Sequence, residues 1–300
     1  MPWLELRVET TAQEYQSIED ALFSVGALSV TTIDAKDSPI YEPDPDRPPI
    51  WPDSILVGLF ESKVDSSAIQ KAFLSFCDKS ATDIRWEILE DRVWETEWME
   101  HFKPMCFGDN FWVYAEKVTQ PPAEPGATTL LLDPGLAFGT GTHPTTALCL
   151  KWLVENDCLN KTIIDYGCGT GLLGIATMMR GGKYASFVDI DPQALTATKQ
   201  NLLRNKVNAD NYDICLPASF AREPADILLA NILSGPLVEL AQSIARLVKN
   251  GGYLCLSGIL HSQKQEILNA YQPWFNNLSV KKSGDWLRIS GTRSEVTFQL

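Results

Sequence analysis

DYGCGTG at residues 165–171 follows the apolar run TII at 162–164 and leads into LLGIATMM at 172–179. Strand, glycine turn and helix in that order open a β-α-β unit, whose ligands sit above the carboxyl ends of parallel strands. Side chains at the glycine positions would fill that space. Their absence lets backbone amides and carbonyls approach a ligand and lets the chain adopt dihedrals that other residues resist. Downstream, strand-like runs at 186–189, 227–230 and 253–257 alternate with helical stretches, which predicts a parallel, doubly wound α/β sheet. Runs at 278–282 and 286–291, joined by Ser283, Gly284 and Asp285, predict a closing hairpin.

Upstream the rhythm differs. A strand at 4–8, a helix at 11–25 with Tyr15, Ile18, Leu22 and Val25 at helical spacing, and a strand at 28–33 form one β-α-β unit. After a proline-rich loop at 39–53 the pattern returns as strand 55–60, helix 66–77 and strand 84–89. Two such units predict a small α+β module of ferredoxin-like β-α-β-β-α-β type. Trp94, Trp98 and Phe102 share a helical spacing that suits a buried face, and FWVYAE at 111–116 reads as a strand. TQPPAEPGAT at 119–128 has the composition of a linker. The expected organisation is therefore a first domain at 1–90, a connecting segment at 91–128 and a second domain at 129–300.

The chain has 300 residues, 45% of them hydrophobic and 21% charged, as in ordinary folded domains. Its net charge of −13 disfavours an affinity built on neutralising nucleic-acid phosphates and suits a basic protein or a small molecule. Residues 1–60 carry eleven acidic side chains against Arg7, Lys36 and Arg47, so the acidity is concentrated there. Seven cysteines are scattered singly without C-x-x-C pairs, and the three histidines show no metal-ligand spacing. Reduced thiols and no metal are expected. The opening MPWLELRVETT has no basic start followed by an apolar run, and no apolar stretch approaches the length of a membrane span, so a cytoplasmic protein is expected.

Gly169-x-Gly171-x-x-Gly174, with Asp189 about twenty residues beyond, also satisfies the dinucleotide pattern. Asp189 ends the second strand in FVDIDP, where a carboxylate can accept hydrogen bonds from the ribose of any adenosine-bearing cofactor. Three features favour S-adenosylmethionine. Asp165, just before the glycines, can pair with an ammonium but would repel a pyrophosphate. Asn231 closes the strand DILLAN, where its amide oxygen can accept an N–H from an incoming amine while the Ile232 carbonyl accepts another. No histidine sits in the context of a hydride-transfer enzyme.

Before the glycine loop, DPGLAFGTGTHPTT at 133–146 joins flexible glycines to Phe138 and to the hydroxyls of Thr145 and Thr146 at a helix start. It reads as a segment that closes over the cofactor, with Phe138 shielding it and the threonines bonding its polar end.

This run, followed in order by DYGCGTG, VDIDPQA, LLANILSGPL and GGYLCLSGIL, resembles the family that methylates the eleventh protein of the large ribosomal subunit. The likeness extends to the opening MPWLEL and to WETEWMEHFKPM. It implies a class I methyltransferase domain, a Rossmann-like doubly wound sheet, preceded by a small ferredoxin-like substrate-recognition domain. It also implies S-adenosyl-L-methionine as cofactor and lysine side chains and the N-terminal α-amine of that ribosomal protein, free or on the ribosome, as substrate. Cofactor contacts carry over to Thr146, Gly167, Asp189 and Asn231, with Thr145, Phe138 and Gly169 as neighbours. Where many amine methylators have N-P-P-Y, this chain has Asn231-Ile-Leu-Ser, without the prolines and the tyrosine.

Overall fold

A computed structural model describes residues 3–36, 40, 50–77, 79–80, 83–89, 103–115, 126–133 and 143–295. The chain divides into two compact units, Met1–Trp94 and Glu95–Leu300. The expected helix face of Trp94, Trp98 and Phe102 lies outside the described residues, as does Phe138.

In the first unit β1 (Trp3–Thr11), α1 (Tyr15–Ser24), β2 (Ser29–Asp34), β3 (Asp53–Glu61), α2 (Ser66–Phe76) and β4 (Ile84–Leu89) follow one another. The four strands pair antiparallel in the order β2-β3-β1-β4. Alternation decides the buried face: Leu6 and Val8 of β1 and Leu56 and Phe60 of β3 meet Ile18, Leu22 and Phe73 from the two helices. Glu5 and Arg7 take the other face of β1 and pair with each other at 3.1 Å. β1 is longer than expected, because Thr10 and Thr11 are β-branched and continue the ladder opposite Ser54 and Asp53. The helix therefore begins at Tyr15.

The second unit contains a seven-stranded sheet and a three-stranded one. The small sheet joins β5 (Met105–Phe107), β6 (Phe111–Ala115) and β7 (Thr128–Leu132), and β6 runs parallel to β7. That pairing corrects the reading of 119–128 as the connection between domains. The flanks of the proline-rich stretch are neighbouring strands of one sheet, and the division of the chain falls earlier, between Trp94 and Glu95. Residues 119–125 are themselves outside the described set.

The large sheet comprises β8 (Thr162–Tyr166), β9 (Tyr184–Val188), β10 (Tyr212–Cys215), β11 (Ala225–Asn231), β12 (Val248–Leu260), β13 (Phe275–Ser283) and β14 (Trp286–Arg293). Their order is β10-β9-β8-β11-β12-β14-β13, parallel from β10 through β12 and closed by the antiparallel β13–β14 hairpin. This is the predicted doubly wound α/β sheet with its terminal hairpin. The central strands are apolar on both sides. Ile163, Ile227, Leu229 and Cys255 face one core, while Ile164, Leu228, Ala230 and Leu256 face the other. Helices α3 (Pro144–Glu155), α4 (Leu172–Met179) and α5 (Pro192–Arg204) contribute to the first core. The second receives α6 (Ser234–Glu239), α7 (Ala241–Arg246) and α8 (Lys264–Tyr271). No described helix is long and apolar enough to cross a membrane.

Candidate active site at the carboxyl ends of the sheet

The chain leaves β8 at Tyr166 and turns through Gly167, Gly169 and Gly171, whose φ angles of +72°, +55° and +78° lie in the left-handed region. Gly174, on the first turn of α4, is needed for a different reason. A Cβ there would overlap the Phe187 ring of β9 and lie 3.1 Å from the Asp165 Cβ.

Asp165 is 1% exposed, and its Oδ2 accepts the Gly174 N–H at 2.8 Å. Burial, with a smaller contribution from the nearby Asp189 charge, pushes its pKa up to about 7 against the opposing pull of that hydrogen bond. Asp165 thus braces the start of α4, a role its pairing with an ammonium did not require, and its carboxyl group titrates near neutrality. The same bond bears on the dinucleotide reading of the glycines. A pyrophosphate binds at a helix N-terminus through free backbone amides. Here the Gly174 amide is committed to a carboxylic acid.

Asp189 follows β9 directly and faces the loop. Its Oδ2 accepts the Gly169 N–H at 2.8 Å and its Oδ1 the Asp191 N–H at 3.0 Å. Each carboxylate oxygen retains a further lone pair, enough for ribose hydroxyls as well. Ile190 beside it is 82% exposed, a large apolar side chain held at the rim of the same strand end.

Asn231 is the last residue of β11, and its Nδ2 donates to Thr146 Oγ1 at 3.2 Å. Two residues 85 apart in sequence, each expected at the cofactor site, therefore touch. Thr146 and Thr145 are buried on the first turn of α3. The cap of that helix differs from the expectation of a hydroxyl residue. His143 is the N-cap and Pro144 the first helical residue, because the fixed φ of proline is already helical and its missing N–H costs nothing there. The His143 Nδ1 lies 2.7 Å from Thr145 Oγ1, and the imidazole meets the Trp286 ring edge-on. Thr145 thus bonds the cap and Thr146 bonds Asn231.

The Ile232 carbonyl, expected as a second acceptor for an amine, lies packed on β12, where a Cβ at Gly258 would overlap its oxygen. The Ile232 side chain covers Gly167, so that a Cβ there would overlap Ile232 Cγ2. The segment after β11 is consequently wedged between the glycine loop and β12.

Two site-building residues escaped the sequence reading, and both lie on α5. Thr198 Oγ1 donates to the Gly169 carbonyl at 2.9 Å. Asn201, fully buried, donates through Nδ2 to the carbonyls of Thr170 at 3.0 Å and Asp133 at 3.1 Å, while its Oδ1 accepts the Asp133 N–H at 3.0 Å. One turn later Asn205 exchanges the same pair of bonds with Leu131, at 2.9 and 2.7 Å. The two asparagines flank the end of β7 as a strand would. They tie the glycine loop to Asp133, where the 133–146 segment begins. An asparagine inside a helix at Asn201, one turn after the buried Thr198, is the signal that marks the pair, because asparagine is otherwise a poor choice there.

This geometry has relatives. A family model described as ribosomal protein L11 methyltransferase (PrmA) matches residues 2–294. Among curated proteins, the ribosomal protein L11 methyltransferase of Teredinibacter turnerae is 47% identical over 293 residues, spanning 98% of this chain and 97% of that protein. The protein of the same name from a Marinomonas species is 47% identical over 296 residues, spanning 98% and 99%. Among solved structures, the ribosomal protein L11 methylase of Lactobacillus delbrueckii subsp. bulgaricus is 26% identical with a TM-score of 0.57, covering 64% of this chain and 99% of that one. A match over nearly the whole length, with relatives 47% identical across 97–99% of their own length, places this chain in the ribosomal protein L11 methyltransferase family.

Proposed function

We propose that this chain transfers methyl groups from S-adenosylmethionine to amines of the eleventh large-subunit ribosomal protein, namely its lysine side chains and its N-terminal α-amine. The observation that carries the reading is the Asn231–Thr146 hydrogen bond, which joins the amide at the end of β11 to the helix that follows the 133–146 segment. With Nδ2 committed to Thr146, the Asn231 Oδ1 is the end left to accept an N–H from the amine and turn its lone pair toward the methyl group. S-adenosylmethionine, when bound, supplies a methyl already activated on a sulfonium. The chain's own residues then bind, align and exclude water. Asp165 faces the cofactor's ammonium, Asp189 its ribose, and Gly167 and Gly169 allow its close approach. Thr145 and Phe138 complete the binding set. Only a neutral amine is nucleophilic, so an amine whose reference pKa is about 8 to 10.4 gives up a proton to solvent before transfer.

The smaller unit, whose element order is that of the ferredoxin-like class, is the substrate-recognition part of this reading. Its concentration of acidic side chains suits a basic ribosomal protein, free or on the ribosome, in the cytoplasm. The test is incubation of the protein and methyl-labelled cofactor with purified ribosomes and with free ribosomal proteins, followed by mass spectrometry of protein and RNA. Label is expected on lysines and the α-amine of the eleventh large-subunit protein. Label in RNA alone overturns the proposal.

A further inference from the structure

Residue 258 stands directly beyond the last β11–β12 pair, Asn231 opposite Ser257. At that point β12 departs from regular pairing with β14. Leu256 lies opposite Ile289 and Ile259 opposite Leu287, so β12 carries one extra residue, a β-bulge. Gly258 has a φ of +83° within it. The Ser257 hydroxyl, fully buried, donates to the Leu287 carbonyl at 2.9 Å and so ties the bulge to β14. The open side of the glycine is filled by the Ile232 backbone. A Cβ at Gly258 would overlap the Ile232 carbonyl oxygen, lie 2.7 Å from its carbon and 3.2 Å from its nitrogen.

We propose that the Ser257–Gly258 bulge is the seat that positions the Asn231–Ile232 segment for methyl transfer, and that Gly258 is a positioning residue of the reaction. The proposal rests on the reading of Asn231 as the residue that orients the amine. Three constraints meet on that segment: the Thr146 hydroxyl on the Asn231 amide, Gly167 under the Ile232 side chain, and Gly258 against the Ile232 backbone. Of these, only the Gly258 contact is to main chain, which cannot swing aside by changing rotamer. A methyl group there must displace the Ile232 carbonyl, one residue after Asn231, by about 1 Å, and a misplacement of about 1 Å passed on to Asn231 costs on the order of a hundredfold in rate. Cofactor affinity should suffer far less than kcat, because Asp165 lies on β8 and Asp189 at the end of β9, and Ile232 bears on the glycine loop only through its side chain at Gly167, which can change rotamer.

β12 supplies its own control. Gly251 has nearly the same φ, +76°, but a Cβ there would meet nothing within 4 Å. Gly251→Ala therefore carries the left-handed strain without the obstruction. Gly258→Ala, Gly251→Ala and Asn231→Ala would be compared by steady-state kinetics and by calorimetric binding of S-adenosylhomocysteine. Gly258→Ala should lower kcat about a hundredfold while KM for the protein substrate and Kd for S-adenosylhomocysteine stay within about threefold. Gly251→Ala should match the unaltered enzyme. Equal kcat for the two alanine variants, or a Kd that rises by about as much as kcat falls in Gly258→Ala, overturns the proposal. If Asn231→Ala retains full kcat, the reading of Asn231 fails instead, whatever Gly258→Ala does. Should Gly258→Ala not fold, as judged by circular dichroism, Ser257→Ala decides. Loss of the tie to Leu287 should lower kcat about tenfold at unchanged Kd, and full kcat in that variant overturns the seat.

Discussion

The proposed contact of the buried Asp165 carboxyl with the cofactor's ammonium makes cofactor binding a proton-linked event with a calculable size. Free of cofactor, the group has its pKa pushed up to about 7 by burial, with Asp189 adding to the shift. The proposed contact with the cofactor's ammonium favours the ionised form, so binding below that pKa must expel a proton. The association constant should then fall about tenfold per pH unit below 7. Between pH 8 and pH 5 the loss approaches a hundredfold, about 2.7 kcal/mol. Proton release should be about one per cofactor at pH 5, about half at pH 7 and about a tenth at pH 8. Calorimetric titration with S-adenosylhomocysteine, repeated in buffers of different ionisation enthalpy, reads both quantities. Asp165→Asn is the control. It should bind weakly and without a pH slope, although Asp189 and His143, whose own pKa is lowered by desolvation, remain in place. Stability of the unliganded protein should run the opposite way. Because the folded pKa lies above the unfolded one, Asp165 costs nothing below about pH 3 and destabilises progressively as pH rises toward 7, by on the order of 4 kcal/mol. A cofactor affinity that is flat from pH 5 to 7.5, with no proton released, refutes the ammonium contact.

Asp189→Ala removes a brace from Gly169 as well as an acceptor for ribose, and should weaken cofactor binding by about 1.5 to 3 kcal/mol, roughly ten- to a hundredfold in Kd by calorimetry. Asn231→Ala should lower kcat more than it raises the cofactor Kd, and Thr146→Val, which removes the hydroxyl that holds the Asn231 amide, should share that split in weaker form, about tenfold in steady-state kcat. Asn201→Leu removes the hydrogen bonds that the buried Asn201 amide makes to the backbone of Asp133 and to the Thr170 carbonyl, and should cost about 2 to 4 kcal/mol in denaturant unfolding. Bound cofactor should restore part of that stability, because both tethered segments belong to its site.

Much of the second unit was legible because parallel strands buried on two faces advertise themselves as short apolar runs. TII before the glycines and DILLA before Asn231 are such runs, and both became central strands, β8 and β11. β10 was missed for the converse reason. Tyr212–Cys215 is a four-residue edge strand, half-buried throughout, and the polar stretch before it reads as a turn. The proline-rich stretch at 119–128 misled because composition reports local chain stiffness, whereas a domain division depends on which strands pair across it. Here β6 pairs with β7, a contact that no local pattern encodes. Likewise Thr145 and Thr146 suggested a helix cap by type, yet the cap fell to His143 once Pro144 took the first helical position.

The glycine spacing itself could not separate S-adenosylmethionine from a dinucleotide, and the reason is physical. Gly169, Gly171 and Gly174 satisfy the demands of a tight turn and of close helix–strand packing, which both kinds of site share. What differs is the sign of charge offered at the start of α4. In a dinucleotide site the free amides of that turn face a pyrophosphate, aided by the helix dipole. In this chain the Asp165 carboxyl accepts the Gly174 amide, and Asp189 accepts that of Gly169, so two acidic groups occupy the donors that an anion would need. A second anion brought there would meet both repulsion and a deficit of hydrogen bonds, whereas an ammonium meets a carboxyl ready to ionise. The pattern of glycines thus encodes a backbone shape, and the acid that precedes them takes up an amide that an anion would need and so favours the proposed ammonium.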